Sequence, residues 1–232
     1  HVASGGIRRP NGARRRGAVA ALALLSAAVV WWVSDPWRLY RLFRWTFRQL
    51  TCAYLRLTVE GLSHIPGRGG AIVAGNHPNV LDGLLLLIVS PRPVRFLMAE
   101  EMYEHRYLHG LFKALGCIPV YRTKTHNGDA LKAAVTALQR GEVLGIFPEG
   151  TTVFRGSMEQ VKRGVALLAL KTGLPVVPFA IQGSFEAFPK GTKFPKPWPV
   201  TMRFEEPIAY PHVEAEQIPE TVLAQTLEDI RL

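Results

Sequence analysis

Seven short apolar runs punctuate this chain: Leu55–Val59, Ala71–Gly75, Val94–Met98, Ile118–Tyr121, Val143–Phe147, Val176–Ile181 and Val200–Phe204. Helical patterns fall between most of them, at 80–90, 103–115, 128–140 and 159–172, with another at about 214–231. A strand that is apolar at consecutive positions, rather than at every second one, has to be buried on both faces. That happens when helices cover both sides of a sheet and supply the crossovers between its strands. The alternation therefore predicts an α/β fold: a single domain over 55–232 with a mixed, largely parallel sheet covered by helices. An N-terminal arm, 1–54, precedes it. The run Leu84–Val89 is apolar on every side, which suits a buried core helix; the alternative is that it lines an apolar channel.

Open α/β sheets place their ligands beyond the carboxyl ends of the strands, and two such turns stand out. The first follows Ala71–Gly75 and reads Asn76-His77-Pro78-Asn79-Val80-Leu81-Asp82. On a continuous helix, side chains five apart would diverge by about 140°. Here Pro78 holds His77 in an extended conformation, outside the helix. Asn79 is a good N-cap, which sets Asp82 at the third position of the first turn. A carboxylate there can reach back to an imidazole just ahead of the cap. The expected product is a general base held in one tautomer. The second turn follows Val143–Ile146 and reads Phe147-Pro148-Glu149-Gly150-Thr151-Thr152. Gly150 permits close approach of backbone to a ligand; Glu149 and the threonines add a carboxylate and hydroxyls.

Together these two turns resemble those of the glycerolipid acyltransferases, the 1-acylglycerol-3-phosphate acyltransferases and their relatives. Four motifs of that family are recognisable in order: Asn76-His77 through Asp82; Gly116-Cys117-Ile118-Pro119-Val120-Tyr121-Arg122; Phe147 through Thr152; and Leu174-Pro175-Val176-Val177-Pro178-Phe179. Gly156-Ser157-Met158 and Lys162-Arg163-Gly164 look like the continuation of the third. The resemblance covers roughly residues 60–185 and implies that 55–232 is an acyltransferase domain. It implies that His77 is the general base and Asp82 its orienting partner. It also implies that Arg122, Glu149, Gly150 and Thr151, with Lys162 as a further candidate, handle a phosphate-bearing acceptor. The donor would be acyl-CoA or an acyl carrier protein thioester, the acceptor a lysolipid or glycerol phosphate, with no metal or redox cofactor. Two departures bear on the acceptor. Thr152 stands where the family often has arginine, with Arg155 or Lys162 as alternative sources of charge. Glu100 and Glu101 bring acid where relatives often carry lysine. Both lower the positive charge expected around the acceptor, so a different lysophospholipid or an amino-acid lipid is the alternative, and a non-catalytic membrane adaptor of the same fold is the rival from another class.

The net charge of +10 is unevenly spread. Residues 1–60 carry ten arginines against Asp35 and Glu60, a net +8, while 61–232 carry only +2. A basic arm fits nucleic acid or an anionic membrane. This one encloses Ala18–Val33, apolar except for Ser26, followed by Trp37, Leu39, Tyr40, Leu42, Phe43, Trp45 and Phe47 interleaved with Arg38, Arg41, Arg44 and Arg48. Arginines at steps of three, three and four follow one side of a helix, with aromatics on the others. That composition points to an interfacial helix on a bilayer, and so to a membrane rather than nucleic-acid partner. Sixteen residues at 1.5 Å rise give about 24 Å, short of a hydrocarbon core of about 30 Å. A shallow or re-entrant insertion of 18–33 on the cytoplasmic face is therefore expected over a span. A cleaved signal peptide is the rival, for which Val29-Val30-Trp31-Trp32 makes a poor cleavage region. Since the chain opens on His1, a trimmed or processed form is expected.

Other constellations carry less. Cys52 and Cys117 are the only cysteines; with one in the arm helix, a reduced cytosolic state is expected. His105 and His109 lie four apart on a predicted helix with no third ligand, which suits a surface pair rather than zinc. Gly67-Arg68-Gly69-Gly70 precedes a strand and so is a turn, not a phosphate cradle. No Gly-x-Ser-x-Gly elbow is present, against a serine hydrolase. The segment 189–199, with four prolines and three lysines, is expected to be a surface loop and a candidate second membrane contact.

Overall fold

A computed structural model describes residues 36–121, 127–148, 163–214 and 218–230. The chain divides into two compact units, 1–47 and 48–232. The described part of the first is the opening of helix α1 (Pro36–Tyr54), which continues into the second. The stretch 18–33 and the first arginine cluster lie outside the described residues. Among the described residues no helix is long and apolar enough to cross a membrane.

Seven strands form one sheet: β1 (Thr58–Glu60), β2 (Ala71–Gly75), β3 (Val94–Ala99), β4 (Ile118–Val120), β5 (Val143–Ile146), β6 (Val176–Gln182) and β7 (Thr201–Phe204). Their order is β1-β7-β6-β2-β5-β3-β4. Every pairing is parallel except β6 with β7. β2 therefore sits at the centre, flanked by β5 and β6, and all five of its residues are buried. Period-two alternation divides its side chains between two cores. Val73 joins Val143, Val177, Phe96 and Phe179 on the face covered by helix α2 (Leu81–Val89). Ile72 and Ala74 join Leu144, Ile146 and Val176 on the other face, under helices α5 (Asn127–Gln139) and α6 (Gly164–Thr172). Helices α3 (Glu100–Tyr103), α4 (His109–Ala114), α7 (Ser184–Ala187) and α8 (Glu220–Ile230) complete the described set. The result is the three-layer α/β arrangement that continuous apolar strands demand.

Three expected elements differ in extent, the last helix among them: it starts at Glu220 and not near 214, with Glu214, Ile218 and Pro219 outside it. The run Leu55–Val59 is mostly not strand. Leu55 N–H still bonds the Thr51 carbonyl at 2.8 Å as the last turn of α1, Arg56 takes a left-handed φ of 46°, and pairing starts only at Thr58. Its apolar residues are explained by packing, since Leu55 is buried in the core while outside any strand. Of the pattern at 103–115 only α4 is helix, since α3 ends at Tyr103 and 104–108 is turn. The His105 carbonyl accepts N–H groups from both Leu108 and His109, starting a new helix inside the pattern. Helix α2 is a core helix on four of its apolar residues, Leu85, Leu86, Ile88 and Val89, with Leu84 left exposed.

Candidate active site

The register of the sheet decides what meets what beyond its carboxyl edge. Ala74 of β2 stands beside Ile146 of β5 and Pro178 of β6. The residues that follow, Asn76 and His77 on one strand and Phe147 on the next, are therefore neighbours before any side chain is considered. Parity puts His77 on the same face as Val73, and Phe147 on the same face as Val143, which is the α2 side.

His77 and Asp82 meet across the start of α2. Nδ1 of His77 lies 3.0 Å from Oδ2 of Asp82, whose side chain is wholly buried; the imidazole is 18% exposed. The same Oδ2 accepts the backbone N–H of Asn79 at 2.6 Å. The Asn79 side-chain oxygen in turn accepts Leu81 N–H at 3.0 Å. Asn79 and Asp82 thus cap the helix reciprocally, in the manner of a capping box, although regular helix is assigned only from Leu81. An ionised carboxylate only accepts, so Nδ1 carries the proton and Nε2 presents its lone pair. Nε2 has no partner among the described residues.

Two further devices hold this turn. Asn76 uses its side-chain amide like a peptide unit. Nδ2 donates to the Ile181 carbonyl at 2.9 Å, and Oδ1 accepts the Ile181 N–H at 2.7 Å. The ladder between β2 and β6 is thereby extended one residue past the strand by a side chain, leaving the backbone free to turn at Pro78. Phe147 stacks flat on His77, ring centroids 4.0 Å apart and planes 17° from parallel. Behind it Phe96 lies parallel at 6.2 Å, and Phe179 meets its edge at 6.0 Å. Gly145 makes room for this column, since a Cβ there would sit 2.7 Å from the Phe96 ring. A stacked aromatic fixes the ring plane that the Nδ1 hydrogen bond alone leaves free to tilt.

Of the residues singled out from the sequence, the structure joins His77 and Asp82 directly. Arg122, Glu149, Gly150, Thr151 and Lys162 lie outside the described residues, as do Thr152 and Arg155. What leads to them is placed. β4, which precedes Arg122, is the edge strand beside β3. Pro148, which precedes Glu149, is buried and directly follows Phe147. Cys117 is buried, and that burial pushes its thiol up from the usual range, so it is a packing residue and not a nucleophile. His109 turns its Nδ1 to the Tyr103 carbonyl and to Glu104, not to a shared ligand with His105. The roles of Asn76 and Phe147 were not legible from sequence. Both depend on register, although an aromatic at the end of an apolar strand beside a histidine turn is the available signal.

A carboxylate-held imidazole thus lies beyond the carboxyl end of the central strand of a doubly covered, mostly parallel α/β sheet, where such sheets place their ligands. The family model for acyltransferases matches residues 56–182, more than half of the chain, and the chain belongs to that family. It is similar to the 1-acyl-sn-glycerol-3-phosphate acyltransferase of Borreliella burgdorferi, 27% identical over 146 residues, 62% of this chain and 58% of that protein. It is also similar to the Bacillus subtilis protein of the same name, 27% identical over 137 residues, 57% of this chain and 67% of that protein. The chain spans 58% of the length of the Borreliella burgdorferi protein and 40% of that of the chloroplastic 1-acyl-sn-glycerol-3-phosphate acyltransferase LPAT1 of Arabidopsis thaliana, about half of each. The crystal structure of the 1-acyl-sn-glycerophosphate (LPA) acyltransferase PlsC from Thermotoga maritima superposes with a TM-score of 0.61, covering 94% of both chains at 24% identity. That likeness carries the fold.

Proposed function

We propose that this chain is an O-acyltransferase of phospholipid synthesis working at a membrane surface. It would move a fatty acyl group from a thioester, acyl-CoA or acyl carrier protein, to the free hydroxyl of 1-acylglycerol-3-phosphate. The observation that carries the reading is the buried Asp82 carboxylate on Nδ1 of His77, which leaves Nε2 as a base of fixed tautomer. Membership of the acyltransferase family and the names of its relatives support the chemistry and the acceptor class.

The steps balance without a further reactant. Nε2 of His77 takes the proton from the acceptor hydroxyl as its oxygen attacks the thioester carbonyl. Asp82 stabilises the imidazolium that forms. The tetrahedral intermediate collapses, breaking the carbon–sulfur bond, and the departing thiolate takes the proton back from His77. The transfer is redox-neutral and needs no acyl-enzyme, so no cofactor is assigned. Arg122 and Lys162 are assigned to the acceptor phosphate, bidentate geometry being the strength of arginine. Glu149, Gly150 and Thr151 are assigned to the same acceptor through their motif. The basic, aromatic arm would hold the domain to the cytoplasmic face of an anionic bilayer.

Thr152, in place of the arginine common in the family, favours a second reading in which the acceptor is another lysophospholipid, glycerol phosphate or an amino-acid lipid. One experiment tests both. Purified protein is given acyl-CoA and a panel of lysolipids and glycerol phosphate, with products read by mass spectrometry beside His77→Ala. A lysophosphatidate product lost about 10²–10⁴-fold in the variant is expected. Turnover unchanged in a folded His77→Ala protein rules the mechanism out.

A further inference from the structure

We propose that the loop 189–199, together with the last turn of α1, forms a second membrane-docking surface that sets the His77 turn against anionic lipid. The inference rests on the membrane-surface reading above and adds a second contact, built on the catalytic domain itself. β6 runs parallel to β2, so its carboxyl end lies on the same edge of the sheet as Asn76 and His77. The chain from there to β7 contains α7 and the loop. β1 is antiparallel to β6 through β7, so the entry to β1, just after Tyr54, falls on that edge too. The site, the loop and the end of α1 thus share one edge.

Hydrogen bonds fasten them together. Asn79, two residues from His77, donates its side-chain N–H to the Phe188 carbonyl, where the loop begins. Tyr54 donates its hydroxyl to the Pro195 carbonyl at 2.9 Å, in the middle of the loop. At the far end Val200 donates its N–H to the Leu55 carbonyl at 3.1 Å. Thr192 N–H and hydroxyl both return to the Pro189 carbonyl, and Lys196 N–H returns to that of Ala187, so the loop is internally braced.

This braced surface shows large apolar side chains to solvent. Phe194 is 79% exposed, Leu50 62%, Tyr54 49% and Trp198 48%. Lys193 and Lys196 stand among them, also exposed, and residues 187–204 contain no Asp or Glu. Large apolar side chains ringed by lysines match the two layers of an anionic bilayer surface: acyl carbon for Phe194 and Leu50, headgroup depth for Tyr54 and Trp198, phosphate for the lysines. An acidic protein would use the lysines but leave Phe194 and Leu50 without an apolar partner.

The test uses the full chain in a Cys52→Ser background. An environment-sensitive thiol dye is placed at Phe194→Cys, and at Arg140→Cys as the control on the opposite edge of the sheet. Vesicles are phosphatidylglycerol mixtures or phosphatidylcholine alone. With the anionic vesicles the dye at 194 is expected to shift to the blue and to be quenched by spin-labelled lipid, while that at 140 stays accessible to iodide. Lys193→Gln with Lys196→Gln should weaken vesicle partition about thirtyfold, at about fivefold per lysine near the surface. Turnover of short-chain, soluble substrates should be untouched. A protein that binds the vesicles while its 194 dye remains in water overturns the docking surface and leaves the enzyme reading standing. A loss confined to turnover with acyl carrier protein, with partition unchanged, assigns the lysines to a protein partner and also overturns it. No vesicle binding by the full chain overturns the membrane reading and this inference with it.

Discussion

Replacing Asp82 with asparagine separates the charge of the His77–Asp82 pair from its geometry, and the structure fixes which way the new amide must face. Oδ2 of Asp82 accepts two donors at once, Nδ1–H of His77 at 3.0 Å and N–H of Asn79 at 2.6 Å. An amide NH2 in that place would face the Asn79 N–H donor to donor. The asparagine oxygen therefore has to occupy the Oδ2 position. His77 then keeps its tautomer, and what is lost is charge. A hydrogen bond to a charged group contributes about 1.5–3 kcal/mol and a neutral one about 0.5–1.5. The imidazolium formed during reaction should lose about 1–2 kcal/mol of support, roughly a five- to thirtyfold fall in kcat. The amide nitrogen lands where Oδ1 now lies, wholly buried and without a partner among the described residues. That placement should cost about 1–3 kcal/mol of stability. Steady-state kinetics with the acceptor varied, beside urea unfolding, checks both numbers, and the KM for acceptor should barely move. If Asp82→Asn is as inactive as His77→Ala while still folded, the capping N–H does not hold the amide, the tautomer has flipped, and this account of the turn is wrong.

Asn76→Ala removes both bonds to Ile181 and leaves a buried N–H and carbonyl unpaired; a loss of about 2–4 kcal/mol in chemical denaturation is expected. Phe147→Leu keeps most of the apolar volume but removes the stack on His77. It should cost about 0.5–1.5 kcal/mol beyond burial and lower kcat without raising the acceptor KM. Tyr210 carries a phenol pushed up to about 12, first by burial and then by Asp229. A raised folded value means its stabilising share is complete below pH 10 and is lost as pH climbs from about 10 to 12. Tyr210→Phe should therefore flatten the alkaline end of a stability-against-pH curve. It should leave stability at pH 7 equal or higher, since the buried hydroxyl has no partner among the described residues.

What the sequence exposed and what it hid follow from the same physics. Strands β2, β5 and β6 were visible because burial on both faces leaves a run with no charged interruption, and all six runs from β2 to β7 match the strands to within a residue. Leu55 misled because burial under a turn writes the same apolar letter as burial in a strand. The His77–Asp82 pair was legible because proline, cap and acid act within seven residues, where local rules are strong. Phe147 and Asn76 were not, because their partners lie 70 and 105 residues away and meet them only through the pairing of β2 with β5 and β6. That pairing also supplies a reason for the order of the motifs. The first, third and fourth sit on β2, β5 and β6, three neighbouring strands with β2 between. One carboxyl edge therefore carries the His77 imidazole, the ring stacked on it and the backbone that pins Asn76 beside it. The second motif includes β4, the sheet's edge strand, with β5 and β3 between it and β2. Two strands therefore separate the His77 turn from the strand that leads to Arg122, the residue proposed to grip phosphate. In a 1-acylglycerol-3-phosphate the reacting hydroxyl and the phosphate sit on adjacent carbons of one glycerol, so both must be reached by a single small headgroup.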